Sequence, residues 1–207
     1  MNYIENVFIC ISAPIIIAVL FLEGSNRRIM AFFLGGMVSC LLSSYISTFL
    51  AAFNGIDAQS ASMMISPMVE ETMKLMPVMY YILVFEPPKR SAAVSMILVS
   101  LGFATFENAC YLTQNGADKV AFLLIRGFGT GAMHVVCGLV ISIGLIHLWD
   151  RTWIRVVGLL GLLALAMNYH GIYNMLVNQQ GILAYIGYII PLVTVILGLL
   201  FQKNPQD

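Results

Sequence analysis

Three glutamates, a lysine, an arginine and two histidines stand inside otherwise apolar stretches of this 207-residue chain. They fall in four short runs. SPMVEETMKLMPV carries Glu70, Glu71 and Lys74; GFATFENACYL carries Glu107 and Asn108; IRGFGTGAMHVV carries Arg126 and His134; NYHGIYNML carries His170 and Asn174. Carboxylates and imidazoles are the groups that activate water, bind a catalytic metal or relay protons. Spacing sharpens the pattern. Glu70 and Lys74 are four residues apart, the favourable order for an ion pair on one helix face. Arg126, Thr130 and His134 repeat every four residues and so share one side of a helix, as do His170 with Asn174 and Phe103 with Glu107.

The surroundings make these groups costly. The chain is 60% hydrophobic and 10% charged, with a mean hydropathy of +0.90. Soluble domains carry roughly a quarter charged residues, so the composition belongs to the membrane class. Apolar runs predict an all-α bundle of about seven spans near 4–22, 29–53, 62–85, 91–113, 119–147, 153–176 and 182–201, one polytopic domain over 1–207. A charge at mid-bilayer costs on the order of 3 kcal/mol, so several must meet one another or line a wet cavity. The net charge is zero and no basic block occurs, which argues against a nucleic-acid partner. Cys10, Cys40, Cys110 and Cys137 lack paired spacing and read as packing residues, and the thirteen methionines likewise. The first apolar run has Glu5 and no Lys or Arg before it, so it reads as a retained span.

Basic residues recur at alternate joints: Arg27 and Arg28, Lys89 and Arg90, Arg151 and Arg155, then Lys203. The other joints hold Asp57, the pair Asp118 and Lys119, and the stretch around Gln179. The positive-inside rule therefore puts the amino terminus outside and the carboxyl terminus in the cytoplasm. Pro87-Pro88 predicts a sharp stop after the third span, while Pro67 and Pro77 predict bends within it. At 1.5 Å per residue, Glu70 lies roughly 12 Å below the outer end of its span, and Glu107 and His170 roughly 9 Å. His134 sits deeper. The four runs thus predict one shared polar site in spans three to six, with Gly127, Gly129 and Gly131 thinning the fifth span beside His134 for a neighbouring helix or a substrate.

Taken together and in order, EExxK at 70–74, FxxxEN at 103–108, the histidine of the next span and HxxxN at 170–174 resemble the PrsW-type intramembrane proteases, relatives of the type II CAAX prenyl endopeptidases and, more remotely, of Aph-1. The CAAX relatives carry His where this chain has Glu107. The resemblance implies a bacterial or archaeal plasma-membrane protein that cuts a single-span substrate such as an anti-sigma factor, on the extracytoplasmic side of the bilayer.

Peptide hydrolysis needs an activated water, a polarised carbonyl and a proton for the leaving amine. In that chemistry Glu70 is the expected base, held by Lys74, with Glu71 as the alternative. His134 and His170 are expected to bind zinc, with Glu107 as a third ligand. A metal-free version has the histidines, or Asn174, stabilise the oxyanion. Plainer roles stand beside these: an ion pair of Glu70 or Glu71 with Lys74 or Arg126, neutralisation of Arg126 by Glu107, and helix-to-helix hydrogen bonds for Asn108 and Asn174. His147, Tyr80, Tyr81, Trp149 and Trp153 read as interfacial. The rival functions are a non-catalytic scaffold and a proton-coupled transporter; the transporter predicts inverted repeats, and the sequence has none.

Overall fold

The computed structural model describes residues 4–116, 119–149 and 152–202. Asp118, Arg151 and Lys203, three of the charges used to predict topology, lie outside the described residues. Among the described residues the chain forms eight helices and no strand: α1 (Ile4–Phe21), α2 (Gly24–Asn54), α3 (Ala58–Met64), α4 (Ser66–Phe85), α5 (Lys89–Asn115), α6 (Val120–His147), α7 (Thr152–Val177) and α8 (Ile182–Gln202). The all-α bundle is as expected. Five helices, α1, α2, α5, α6 and α7, are long and apolar enough to cross a membrane, and α8 holds a shorter apolar segment, Ile182–Gly198.

The third predicted span, 62–85, is where the chain departs from expectation. It divides at Ile65 into a seven-residue α3 and the longer α4. Asp57 starts α3 by accepting from the backbone N–H groups of Gln59 and Ser60, each at 3.0 Å. Pro67 then falls in the first turn of α4, where a missing N–H is tolerated, and not in a helix interior where it would bend the span. The break leaves the Ser62 carbonyl without its helical donor, and Asn174 of α7 donates to it at 2.8 Å. Pro77 does lie inside α4. It withholds the N–H that Met73 O would normally receive, and the Ser39 hydroxyl of α2, which shares its one proton between Gly35 O at 2.9 Å and this carbonyl at 3.0 Å, reaches it instead. Pro87 and Pro88 end α4 as predicted, after Glu86 turns the chain through a left-handed conformation (φ 44°).

Helix α6 is the centre of the bundle, with 67% of its most apolar stretch buried, against 6% for α1 at the edge. Glycines set the closest crossings. A Cβ on Gly36 of α2 would stand 2.0 Å from Val99 O, and one on Gly102 of α5 1.9 Å from Phe33 O, so α2 and α5 touch backbone to backbone. The expected glycine stripe of α6 behaves differently. Gly129 alone admits a neighbouring helix, with Tyr188 of α8 against it, while Gly131 faces open space. Val78, Met96, Val99, Cys137, Ile141 and Ala166 fill the interior between α4, α5, α6 and α7. The outside is apolar: Phe21, Leu83, Phe128 and Ile182 are all well exposed, as suits a lipid solvent.

The basic joints gather at one end. Arg28 donates to the Tyr81 hydroxyl at 2.9 Å and to Ser91 at 3.4 Å, which joins the α1–α2 turn to the α4–α5 turn. Lys89, Trp149 and Arg155 line one pocket there, bringing in the α6–α7 turn.

Candidate active site

The four polar runs meet. Their helices α4, α5, α6 and α7 surround a cluster in which Glu71, Lys74 and His134 are fully buried and His170 is nearly so. Hydropathy alone would leave these side chains facing lipid; helix packing turns them inward.

Lys74 does not pair with Glu70 as the spacing suggested. Its Nζ donates to Glu71 Oε1 at 2.5 Å, an i,i+3 pair with both side chains at 0% exposure. Neighbouring carboxylates on a helix point about 100° apart, and here Glu71 faces the interior while Glu70 faces a cavity. Lys74 also donates to His134 Nδ1 at 3.1 Å and lies 5.2 Å from the Phe103 ring centroid. An ammonium has only donors, so Nδ1 of His134 is the acceptor. Its proton is then on Nε2, which donates to Glu107 Oε2 at 2.5 Å.

His170 is held the other way round. Its Nδ1–H donates to Glu71 Oε1 at 2.8 Å. The lone pair of Nε2 is left free, and Glu70 Oε2 stands 3.7 Å away. That oxygen is buried and has no hydrogen-bond partner among the described residues, and neither has Glu71 Oε2. The two imidazole rings stand perpendicular, 5.0 Å between centroids, with Phe103 packed 4.9 Å from His134.

Glu107 has a second neighbour in Arg126, at 3.5 Å. Arg126 stacks its guanidinium 3.5 Å from the Tyr111 ring centroid and donates to Asn108, which in turn donates to Gly127 O at 3.3 Å. Thr130, between Arg126 and His134 on the same face, shares a hydrogen bond of 2.7 Å with the buried Tyr173 hydroxyl. The predicted α6 face is therefore real. Glu70, Glu107 and Arg126 line a cavity of about 330 Å³ that runs beside α2.

Glu70, His134 and His170 each offer a ligand atom within 4.8 Å of the others. Two imidazoles and a carboxylate are the donor set of many hydrolytic zinc sites. The local charges also suit a cation: among the described residues Glu70, Glu71 and Glu107 face Lys74 and Arg126, three carboxylates against two cations. Glu107, expected as the third ligand, is outside this set: its carboxylate is engaged by Arg126 and by His134, whose Nε2 must give up its proton and that hydrogen bond to ligate a metal, since its Nδ1 accepts from Lys74. A tetrahedral zinc with bonds near 2.0–2.2 Å needs donors roughly 3.4 Å apart, so the three groups fit in kind and must draw closer to bind.

Other expectations sort themselves by contact. Asn174 holds the α3–α4 break with one of the two N–H donors of its amide. His147 is exposed, away from the cluster, as an interfacial residue should be. The four cysteines are free. Sequence reasoning passed over Tyr173, which the i,i+3 spacing from His170 would have placed on the same face. It also passed over the hydroxyls of α2 that line the cavity, because serines in an apolar helix carry no distinctive pattern.

No curated protein and no solved structure matches the chain. Residues 25–199 match the family described as PrsW family intramembrane metalloprotease, a span that contains every member of the cluster. With its apolar helices around a buried site of carboxylates and histidines, the chain is a multi-pass integral membrane protein that belongs to the PrsW family of intramembrane proteases.

Proposed function

We propose that the protein hydrolyses a peptide bond in a membrane-anchored substrate, such as a single-span anti-sigma factor, in the outer half of the bilayer. One observation carries this reading. Glu70 Oε2, buried and without a hydrogen-bond partner, faces the free lone pair of His170 Nε2 across 3.7 Å at the edge of a cavity. A water bridging the two would lose its proton to Glu70 and attack the carbonyl lodged beside it. His134 Nε2–H, which donates to Glu107 at rest, would supply a donor to the developing oxyanion. Glu70 then returns its proton to the leaving amine. Glu71 is a positioning residue, since it holds Lys74 and fixes the His170 tautomer through Nδ1.

The family's description as metalloproteases and the donor set favour a metal, for which zinc is the natural candidate. His170 and Glu70 would hold it together with His134 once the Nε2 proton of His134 is displaced, and zinc there would acidify a bound water and polarise the carbonyl. With Glu70 engaged as a ligand, Glu107 is the remaining carboxylate on the cavity wall to take the proton. The clustering of Arg27, Arg28, Lys89, Arg90 and Arg155 at one end supports an amino terminus outside and a cytoplasmic carboxyl terminus.

Reconstituted protein should cleave a single-span substrate, and Glu70→Gln, His134→Ala and His170→Ala should each abolish cleavage while His147→Ala does not. Normal cutting by both the Glu70 and His170 variants would sink the proposal. Loss of activity with a chelator and recovery on adding zinc separates the metal-dependent chemistry from the carboxylate–histidine one.

A further inference from the structure

Helices α6 and α7 carry the two imidazoles, and their cross-contacts follow one another in opposite chain directions, like rungs. The Cys137 thiol reaches Ala166 O at 3.5 Å, the His134 and His170 rings stand 5.0 Å apart, and the Thr130 and Tyr173 hydroxyls share a hydrogen bond of 2.7 Å. Thr130 precedes His134 by one helical turn and Tyr173 follows His170 by one, so the last rung lies roughly 5 Å along the helices from the imidazole pair. Both residues are buried, and neither takes part in the chemistry above.

This rung is braced from α8. Tyr188 packs edge-on to the Tyr173 ring, 6.0 Å between centroids at 75°, and its backbone lies against Gly129, where a Cβ would stand 2.9 Å from Tyr188 O. What the rung controls follows from how the imidazoles are tied. Both Nδ1 atoms are held by α4: that of His134 accepts from Lys74, and that of His170 donates to Glu71. The Nε2 atoms, which face the reaction, share no such tie. One donates to Glu107 of α5, and the other turns its lone pair toward Glu70. Their separation therefore depends on how far apart α6 and α7 stand and how each is rotated. Apolar packing is non-directional, whereas a hydrogen bond weakens steeply when its angle is bent. The Thr130–Tyr173 bond restrains both quantities.

We propose that Tyr173 is a positioning residue: its hydroxyl, bonded to Thr130 and backed by Tyr188, sets the separation of the His134 and His170 Nε2 atoms. The use made of that geometry rests on the hydrolytic reading.

The first test is kinetic, on the full chain in lipid vesicles with a synthetic single-span peptide. Tyr173→Phe keeps the ring and its contact with Tyr188 and removes the bond. It should lower kcat roughly ten- to a hundredfold, the scale of a misplacement made away from the chemistry, and leave KM within about twofold. Thr130→Val should match it, Thr130→Ser should retain activity, and the pair Thr130→Val with Tyr173→Phe should be no worse than either alone. Ser142→Ala removes a buried hydroxyl donor to Ala93 O at 2.9 Å, between α5 and α6, and is the control for a merely structural loss. An equal fall in kcat there, or an unaltered kcat in Tyr173→Phe, overturns the assignment.

The second test does not need catalysis. Cobalt(II) alone, added to the detergent-solubilised chain, reports its ligand geometry through visible absorption. Tyr173→Phe should bind it roughly tenfold more weakly than the native chain, with a changed spectrum. Identical affinity and spectrum in the two proteins overturn the positioning role. Weakened cobalt binding in a chain that cuts nothing supports that role and defeats the protease reading alone. A native chain that neither cuts nor binds cobalt defeats both.

Discussion

The Glu71–Lys74 pair gives the sharpest test of how this bundle tolerates charge. The two groups lie 2.5 Å apart at 0% exposure, away from both lipid and the cavity. Their Coulomb attraction at an effective dielectric of about 20 is roughly 7 kcal/mol, largely offset by the desolvation of both ions. The net worth of the pair is therefore small, but the loss of either partner alone is not. Lys74→Met removes the cation and leaves Glu71 buried with His170 as its remaining donor, at a cost of about 3–5 kcal/mol. Adding Glu71→Gln removes the stranded charge while keeping an oxygen for His170 Nδ1, and should restore most of that stability. The assay is reversible unfolding of the four proteins in mixed detergent micelles, with the coupling taken from the double-mutant cycle. If Lys74→Met costs under about 1 kcal/mol, or the double variant is no more stable than Lys74→Met, the buried-pair reasoning is wrong. The same proteins should separate stability from function, because the double variant still lacks the donor to His134 Nδ1 and should remain impaired in cleavage.

Further outcomes follow from the packing and the caps. Gly36→Ala should disrupt folding, since its Cβ would stand 2.0 Å from Val99 O, whereas Gly131→Ala meets open space and should leave detergent-solubilised yield unchanged. Ser39→Ala should cost about 1–3 kcal/mol by orphaning the Met73 carbonyl. In a Pro77→Ala background, where the backbone N–H is restored, that cost should shrink; an equal cost in both backgrounds refutes the link. Asp57 lies in the α2–α3 joint, where the Ser60 backbone N–H, with the Ser60 hydroxyl and Gln59 N–H, holds its carboxyl below its ordinary 3.8. A depressed carboxyl pKa stabilises above the unfolded value and is lost as pH falls through the folded one. Hydrogen exchange of the α3 amides should therefore lose protection on acidification below that range in the native chain and show no such step in Asp57→Asn, which caps without titrating.

Much of the site was legible in the sequence because lipid makes charge conspicuous. Each of the four polar runs breaks an apolar helix at a definite position, and depth arithmetic from the span ends brought Glu70, Glu107 and His170 to one level. The division of the third span was hidden, because Pro67 reads the same in a helix interior as in a first turn until the chain direction at Ile65 is known.

What the sequence by itself determined was the class of fold, the helices that carry the polar cluster and the residues that had to meet. Its warrant is general: buried charge in lipid must find a partner, whatever the tertiary arrangement. Only the tertiary structure decided the pairings. Helical spacing gave Lys74 to Glu70, but the rotation of α4 against α6 and α7 gave it to Glu71. That rotation turned Glu70 toward the cavity and left its oxygen facing His170. It also engaged Glu107 with His134 and Arg126, and brought Asn174 to the break at Ile65. Periodicity fixes which residues share a face, whereas the direction a face points depends on helix crossings set by contacts such as Gly36 on Val99 and Gly102 on Phe33, between residues far apart in the chain.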